Sequence, residues 1–184
     1  IADSDYYTVI AIKEKVKNGQ FEPVGAMYVE PDCNVPNAES LIRQCLYGQK
    51  TYEKFFGKRV NNAWLPDVFG YSAALPQILK KSGVDTFVTS EISWNEYNAM
   101  PYQTFSWKGI DGTEIFTQFL IGAESNVKLG DKDNHYSSYN AHILPNTLAF
   151  SWEHYLQKNI NKDMLISYGY GDGGGGVTEE MLEY

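Results

Sequence analysis

Two aspartates stand where a folded chain has little structural use for a carboxylate. Asp67 lies in Trp64-Leu-Pro-Asp-Val-Phe-Gly-Tyr-Ser72, directly after a short apolar run and hemmed in by Trp64, Pro66, Val68 and Phe69. An ionised carboxylate in so apolar a setting needs a cation, a metal or strong hydrogen bonds, because unpaired burial is costly or drives the pKa upward. Gly70 leaves room for a ligand or another backbone to come close. A helix-capping role for Asp67 is weakened because Ser72, five residues later, already suits it. Asp172 is set among the five glycines of Tyr170-Gly-Asp-Gly-Gly-Gly-Gly176, between an expected strand and an expected helix. Such a turn can cradle phosphate, but the Lys-Ser/Thr of a P-loop is missing and an acidic side chain would sit among the backbone amides. Close approach of backbone to a ligand accounts for the glycines better than a flexible linker does. Two carboxylates at the ends of separate strands are what glycoside hydrolysis requires: one attacks or assists at the anomeric carbon, the other protonates the leaving oxygen. A retaining enzyme holds them roughly 5–5.5 Å apart, an inverting one farther.

Two further stretches fall at strand ends. Val29-Glu-Pro-Asp-Cys-Asn-Val-Pro36 sets Glu30 and Asp32 between prolines, where Asp32 is either an Asx-turn or cap residue or part of a site. Ile92-Ser-Trp-Asn-Glu-Tyr-Asn98 and Phe105-Ser-Trp-Lys108 are rich in aromatic and polar side chains. Rings can pack on the C–H faces of a sugar while amides pair with its hydroxyls, although a single Trp is more often core.

The elements that must position these residues alternate. Residues 5–17 place Tyr6, Val9, Ile10, Ile12 and Val16 mostly on one helical face, and 23–29 form an apolar run expected to be a buried strand. Asn37 can cap a helix over 38–56 that Gly57 ends, followed by a strand at 62–65. Ser72 opens a helix to Lys81, and 85–89 make a third strand. Asp111-Gly112, between two alternating runs within 103–120, is a strong hairpin signal. Residues 122–142 read as a long polar surface loop, then a helix from Pro145 to about Lys158, a strand at 164–168 and a helical start at Thr178. Strands alternating with helices predict an α/β fold with a parallel sheet, and ligands gather at the carboxyl ends of its strands.

With 184 residues, 43% hydrophobic and 15% aromatic, the chain has enough apolar material for one core and is not a disordered tail. A net charge of −8 argues against nucleic acid as a partner, and Lys80-Lys81 reads as the solvated end of a helix. No apolar run approaches the roughly 18–20 residues that cross a bilayer, and Ile1-Ala-Asp-Ser-Asp5 lacks the regions of a signal peptide, so no membrane association is expected. Cys33 and Cys45 stand alone, without disulfide or thiolate-zinc spacing, which fits reduced thiols and a cytoplasmic location.

Taken in order, Glu22-Pro-Val-Gly-Ala-Met-Tyr-Val-Glu-Pro-Asp-Cys-Asn-Val-Pro36, Glu39-Ser-Leu-Ile-Arg-Gln44, Trp64 to Ser72, Ile92 to Asn98, Trp107-Lys-Gly-Ile-Asp-Gly-Thr113 and Tyr170 to Gly176 resemble the bacterial branch of glycoside hydrolase family 38, the α-mannosidases. The resemblance implies the central part, over 1–184, of an N-terminal catalytic domain cut at both ends. It implies a seven-stranded parallel β/α barrel, here in part and with an inserted β-hairpin. The implied activity is retaining hydrolysis of terminal α-mannosides through a covalent glycosyl-enzyme, with zinc holding two hydroxyls of the mannose. Asp67 matches the residue that both attacks the anomeric carbon and ligates zinc, and Asp172 matches the general acid/base. The expected substrate contacts are Asp32, Tyr71, Trp107 and Lys108. Tyr71 stands where many relatives carry His, and Lys108 where Arg is usual after Trp.

The family's His-x-Asp zinc motif would precede residue 1 and its later His ligand would follow residue 184, so this chain would supply one of four ligands. His135, His142 and His154 match none of these contexts and read as surface or helix histidines. A chain with so incomplete a site should hold zinc poorly and be inactive by itself. The expected partner is a mannoside or oligosaccharide, and a homo-oligomer is compatible with the sequence. A second class of function is a non-catalytic carbohydrate-binding or regulatory module that keeps the aromatic cleft. A metal-dependent sugar deacetylase on a related barrel ranks below both.

Overall fold

The computed structural model describes residues 3–95, 97–98, 100–124, 127–130, 138–171 and 175–183, with side chains from residue 8 onward. Helix α1 (Asp3–Lys17) buries only Val16 among its described apolar side chains, leaving Val9 and Ile10 exposed. Helix α2 (Ala38–Phe56) begins where predicted because the Asn37 side chain accepts the Ser40 N–H at 2.9 Å. It ends at Gly57, whose left-handed φ of 70° lets its N–H return to the Glu53 carbonyl. Buried Gln49 on α2 grips Val60 through both backbone groups, at 2.7 and 3.1 Å, and so fixes the chain entering the sheet.

The sheet has strands β1 (Asn62–Leu65), β2 (Thr86–Thr89), β3 (Thr104–Lys108) and β4 (Glu114–Phe119) in the order β1-β2-β4-β3. β1, β2 and β4 are parallel, with Leu65 opposite Thr89 and Thr89 opposite Phe119, so their carboxyl ends form one edge. Helix α3 (Leu75–Lys81) returns the chain from β1 to β2. Ala63, Leu65, Phe87 and Ile115 meet Leu41, Cys45, Leu75 and Leu79 in the core between this face and the helices. The Asp111-Gly112 turn closes β3 on β4 as expected, with Gly112 at φ 86° and Asp111 accepting the Thr113 N–H at 3.0 Å. β4 is not simply inserted, since it is also the parallel neighbour of β2.

The structure differs from the expected pattern in several places. Residues 23–29 make one bridge, Gly25 to Ala63, instead of a strand. The Gly25 N–H is taken by the Asn62 side chain, Tyr52 Oη donates to the Val24 carbonyl, and Ala26 sits at φ 60°, so the backbone is not free to continue a ladder. Residues 164–168 likewise contribute a single bridge, Tyr168 to Ala141. Helix α3 starts at Leu75, with Ser72 Oγ accepting the Ala74 N–H in the turn before it. Helix α4 (Pro145–His154) stops short of Lys158 as Tyr155 turns extended at ψ 121°, and helix α5 (Glu179–Glu183) comes after the glycine-rich stretch of sequence. Residues 122–142 are not wholly a surface loop: Gly122, Ala123, Ser138 and Ala141 are buried, and Ser138 bridges to Gly122 beyond β4. Among the described residues the four-stranded sheet ends at β1, which gains only the Gly25 bridge, and at β3, so it does not close into a barrel. No helix among the described residues is long and apolar enough to cross a membrane.

Candidate active site

The turn after β1 carries Asp67 to the carboxyl edge of the sheet, where the carboxyl end of β2 holds it: the Glu91 N–H donates to the Pro66 carbonyl at 3.2 Å. Two residues from distant parts of the chain meet Asp67. Its own N–H donates to Glu30 Oε1 at 2.7 Å, and Tyr139 Oη donates to its Oδ1 at 3.0 Å. Loss of water around Glu30 raises its pKa above the ordinary carboxylate value, opposed by the Asp67 N–H and reinforced by the Asp67 charge. Asp67 is half-buried and Phe69 is 80% exposed, so the apolar neighbours read from the sequence do not enclose this carboxylate. A hydroxyl donor holds it at an open edge. Trp94 and Tyr97, exposed beyond a single 3-10 turn (Glu91–Ser93) that follows β2, bring aromatic surface to the same edge.

The loop that supplies Glu30 is locked onto the loop that supplies Asp67. Asp32 Oδ1 accepts the N–H groups of Asn34 and Val35, each at 2.8 Å, and those bonds, Val35 foremost, hold the Asp32 pKa below the usual carboxylate range. Of the two readings left open by the sequence, the turn is therefore present. The Ser72 N–H donates to the Cys33 carbonyl at 3.2 Å. The space at Gly70 is taken by neither a ligand nor a backbone but by the Asn34 side chain, whose Nδ2 would lie 2.5 Å from any added Cβ. Buried Cys33 has its thiol pushed up to about 12 by desolvation first and by surrounding charges after, so it is no nucleophile at neutral pH.

Tyr71 ties the strand ends together. Its hydroxyl donates to the Leu65 carbonyl at 2.8 Å and meets Thr89 Oγ1 at 2.6 Å, its ring stands edge-on to Phe87, and burial raises its pKa. Trp107 packs on the same cluster, 5.6 Å from Phe87 and 6.1 Å from Tyr71. Together with Phe105 and Met100 these rings line a cavity of about 140 Å³ whose walls offer sugar hydroxyls few partners. Lys108 pairs with Glu114, five residues before Phe119 along β4, which at about 3.3 Å per residue puts it roughly 17 Å from the carboxyl edge. β3 is antiparallel, so its carboxyl end points away from the carboxyl ends of its neighbours. The fold thus brings Asp67 and the Asp32 loop together and sets Lys108 at the other end of the sheet, while the Trp107 ring reaches back to Tyr71.

Asp172 lies outside the described residues. The chain leading to it runs beside the Tyr139 segment: Ala141 N–H donates to Ser167 O at 3.1 Å and Gly169 N–H to Ala141 O at 3.2 Å. At Gly171 an added Cβ would stand 2.1 Å from Asn140 Oδ1, so glycine is what lets this segment pack next to the residue following Tyr139. His154 is a helix histidine as expected, its Nδ1 2.9 Å from the Phe150 carbonyl and its ring stacked on Phe150 at 3.9 Å. His142 is half-buried, and His135 lies outside the described residues. Among the described residues no group of three or more His, Cys, Asp or Glu could hold a metal ion. Tyr139 was invisible to sequence reasoning, because it sits in a polar run 72 positions from the aspartate it contacts.

Residues 5–184 match the glycosyl hydrolases family 38 N-terminal domain. The chain is 44% identical to Alpha-mannosidase G of Dictyostelium discoideum over 172 residues, covering 94% of this chain and 14% of that protein. It is 40% identical to an Alpha-mannosidase of Saccharomyces cerevisiae over 169 residues, covering 92% and 14%. These relatives are eukaryotic, whereas the motifs had pointed to the bacterial branch. An alpha-mannosidase from Enterococcus faecalis V583 shares the fold at a TM-score of 0.54 and 24% identity, over 63% of this chain and 13% of that one. The chain thus spans about a seventh of the length of the curated relatives it matches and, by motif order and by this match over nearly its whole length, it belongs to the glycosyl hydrolases family 38 N-terminal domain.

Proposed function

We propose that this chain forms part of the catalytic domain of a retaining α-mannosidase, of the kind found in the bacterial branch, with Asp67 as nucleophile and Asp172 as general acid/base. The observation that carries the reading is the setting of Asp67: a half-open carboxylate at the carboxyl edge of a parallel sheet, held by Tyr139, with Gly171 packed on the next residue, Asn140. In the first step an Asp67 oxygen bonds to the anomeric carbon as the bond to the leaving oxygen breaks, and Asp172 gives that oxygen its proton. In the second, the Asp172 carboxylate takes a proton from water, the water oxygen bonds to the anomeric carbon, and the ester to Asp67 breaks to restore both groups. The Tyr139 hydroxyl bond steadies the Asp67 charge and aims one oxygen, leaving the other for attack.

The open sheet is proposed to be one side of a seven-stranded β/α barrel completed by the longer protein, in keeping with the likeness to a solved alpha-mannosidase. The described residues do not by themselves make a zinc centre, and no step above runs through one. In the proposal Asp67 is one ligand of a zinc whose other ligands lie beyond this chain; such an ion would orient the mannose hydroxyls. Cys33 and Cys45 are both free and buried, which supports a reducing, cytoplasmic setting.

The test is turnover of an aryl α-mannoside by the intact protein and its Asp67→Ala variant. A loss of at least about 10³-fold with the melting temperature preserved is expected, since the nucleophile has no substitute. Undiminished turnover would remove Asp67 from the mechanism, and a wild-type protein that binds mannose without cleaving any glycoside would favour a binding module.

A further inference from the structure

From the loop contacts at the carboxyl edge we infer that Glu30 is a positioning residue for Asp67, acting by accepting the backbone N–H of the proposed nucleophile. The inference rests on the reading of Asp67 given above.

Glu30 Oε1 lies 2.7 Å from the Asp67 nitrogen, across 37 positions of sequence, and a carboxylate acceptor makes this bond short and directional. The N–H of a residue following proline in an exposed turn could be left to water at little cost. Here it is anchored to a neighbouring loop instead. That loop is itself rigid: Asp32 closes it through Asn34 and Val35, the Cys33 carbonyl takes the Ser72 N–H, and the Asn34 side chain fills the space at Gly70. Ties between the two loops therefore follow closely after both Glu30 and Asp67. Fixing the Asp67 peptide fixes where its Cβ projects, and Tyr139 then sets the carboxylate from the other side. Placing two negative groups side by side is electrostatically unfavourable, and their mutual repulsion is tolerated in the fold. A contact kept against such a cost is explained by what it holds in place.

The two groups have different duties, so they respond differently to substitution. An acceptor is all that the Asp67 N–H requires, and a Gln amide oxygen supplies one without the charge. The experiment uses the intact protein and an aryl α-mannoside, comparing Glu30→Ala, Glu30→Gln and Asp67→Ala. Misplacing a reacting atom by a fraction of an ångström is expected to cost Glu30→Ala about 10- to 100-fold in kcat with KM within about threefold of the parent. Glu30→Gln should recover most of that loss, and both variants should melt within a few degrees of the parent. Full kcat in Glu30→Ala while Asp67→Ala is inactive would overturn the positioning role and leave the nucleophile standing. Equal losses in Glu30→Ala and Glu30→Gln would also overturn it, because charge and not the acceptor would then matter. An active Asp67→Ala would instead remove the reading on which the inference rests.

Discussion

The two ends of the sheet carry sequence of similar flavour and do different things. At the carboxyl edge, Asp67 gathers an N–H acceptor from one distant loop and a hydroxyl donor from another. At the opposite end, Lys108 and the Asp111-Gly112-Thr113 turn are held by contacts within their own hairpin and by one backbone bond, from the Ile110 N–H to the Ala73 carbonyl. Both ends are rich in aromatic and charged residues, so composition does not distinguish them. What distinguishes them is strand direction: three parallel strands deliver their following loops to one place, and the antiparallel β3 delivers its own to the other. Side chains from two distant loops converge on Asp67 at the first edge, whereas the hairpin end is tied to the rest of the fold through its backbone.

That contrast can be broken by substitution in the intact protein. Tyr139→Phe removes only the hydroxyl on Asp67 and is expected to lower kcat for an aryl α-mannoside about 10- to 100-fold, the worth of a hydrogen bond to a charged group, without shifting the melting temperature. Trp107→Ala, half-buried in its cluster, should cost about 2 kcal/mol of stability in chemical denaturation while the folded enzyme keeps its kcat. Lys108→Ala, exposed at the far end, should change kcat/KM by less than about twofold. A loss in Lys108→Ala comparable to that in Tyr139→Phe would show that the two ends are not functionally distinct.

The parts legible in the sequence were those decided by neighbours in sequence. Asn37 and Gly57 bound α2 through bonds to residues three and four positions away, and Asp111-Gly112 turns the hairpin through its own side chain and a left-handed glycine. Asp67 was legible because a carboxylate directly after a strand is conspicuous. The strand expected at 23–29 failed because Asn62 and Tyr52, from β1 and α2, take up its backbone groups, which periodicity does not reveal. Glu30 was noticed only as part of a motif and Tyr139 not at all, since their partner lies 37 and 72 positions away. Trp107 and Lys108 are tied to the sugar by the resemblance and by the aromatic character of their stretch, and strand direction, which separates Lys108 from the carboxyl edge, is not visible in either.

The central claim is that Asp67 forms the bond to the sugar, and covalent trapping tests it most directly. The tryptic peptide Val60–Lys80 contains a single carboxylate side chain, that of Asp67. An activated fluorinated α-mannoside, which slows breakdown of a glycosyl-enzyme more than its formation, should leave one mannosyl adduct on this peptide in the mass spectrum of the intact protein's digest, and none in Asp67→Ala. An adduct on any other peptide, or turnover of mannosides with no trapped intermediate on Val60–Lys80, would contradict the account.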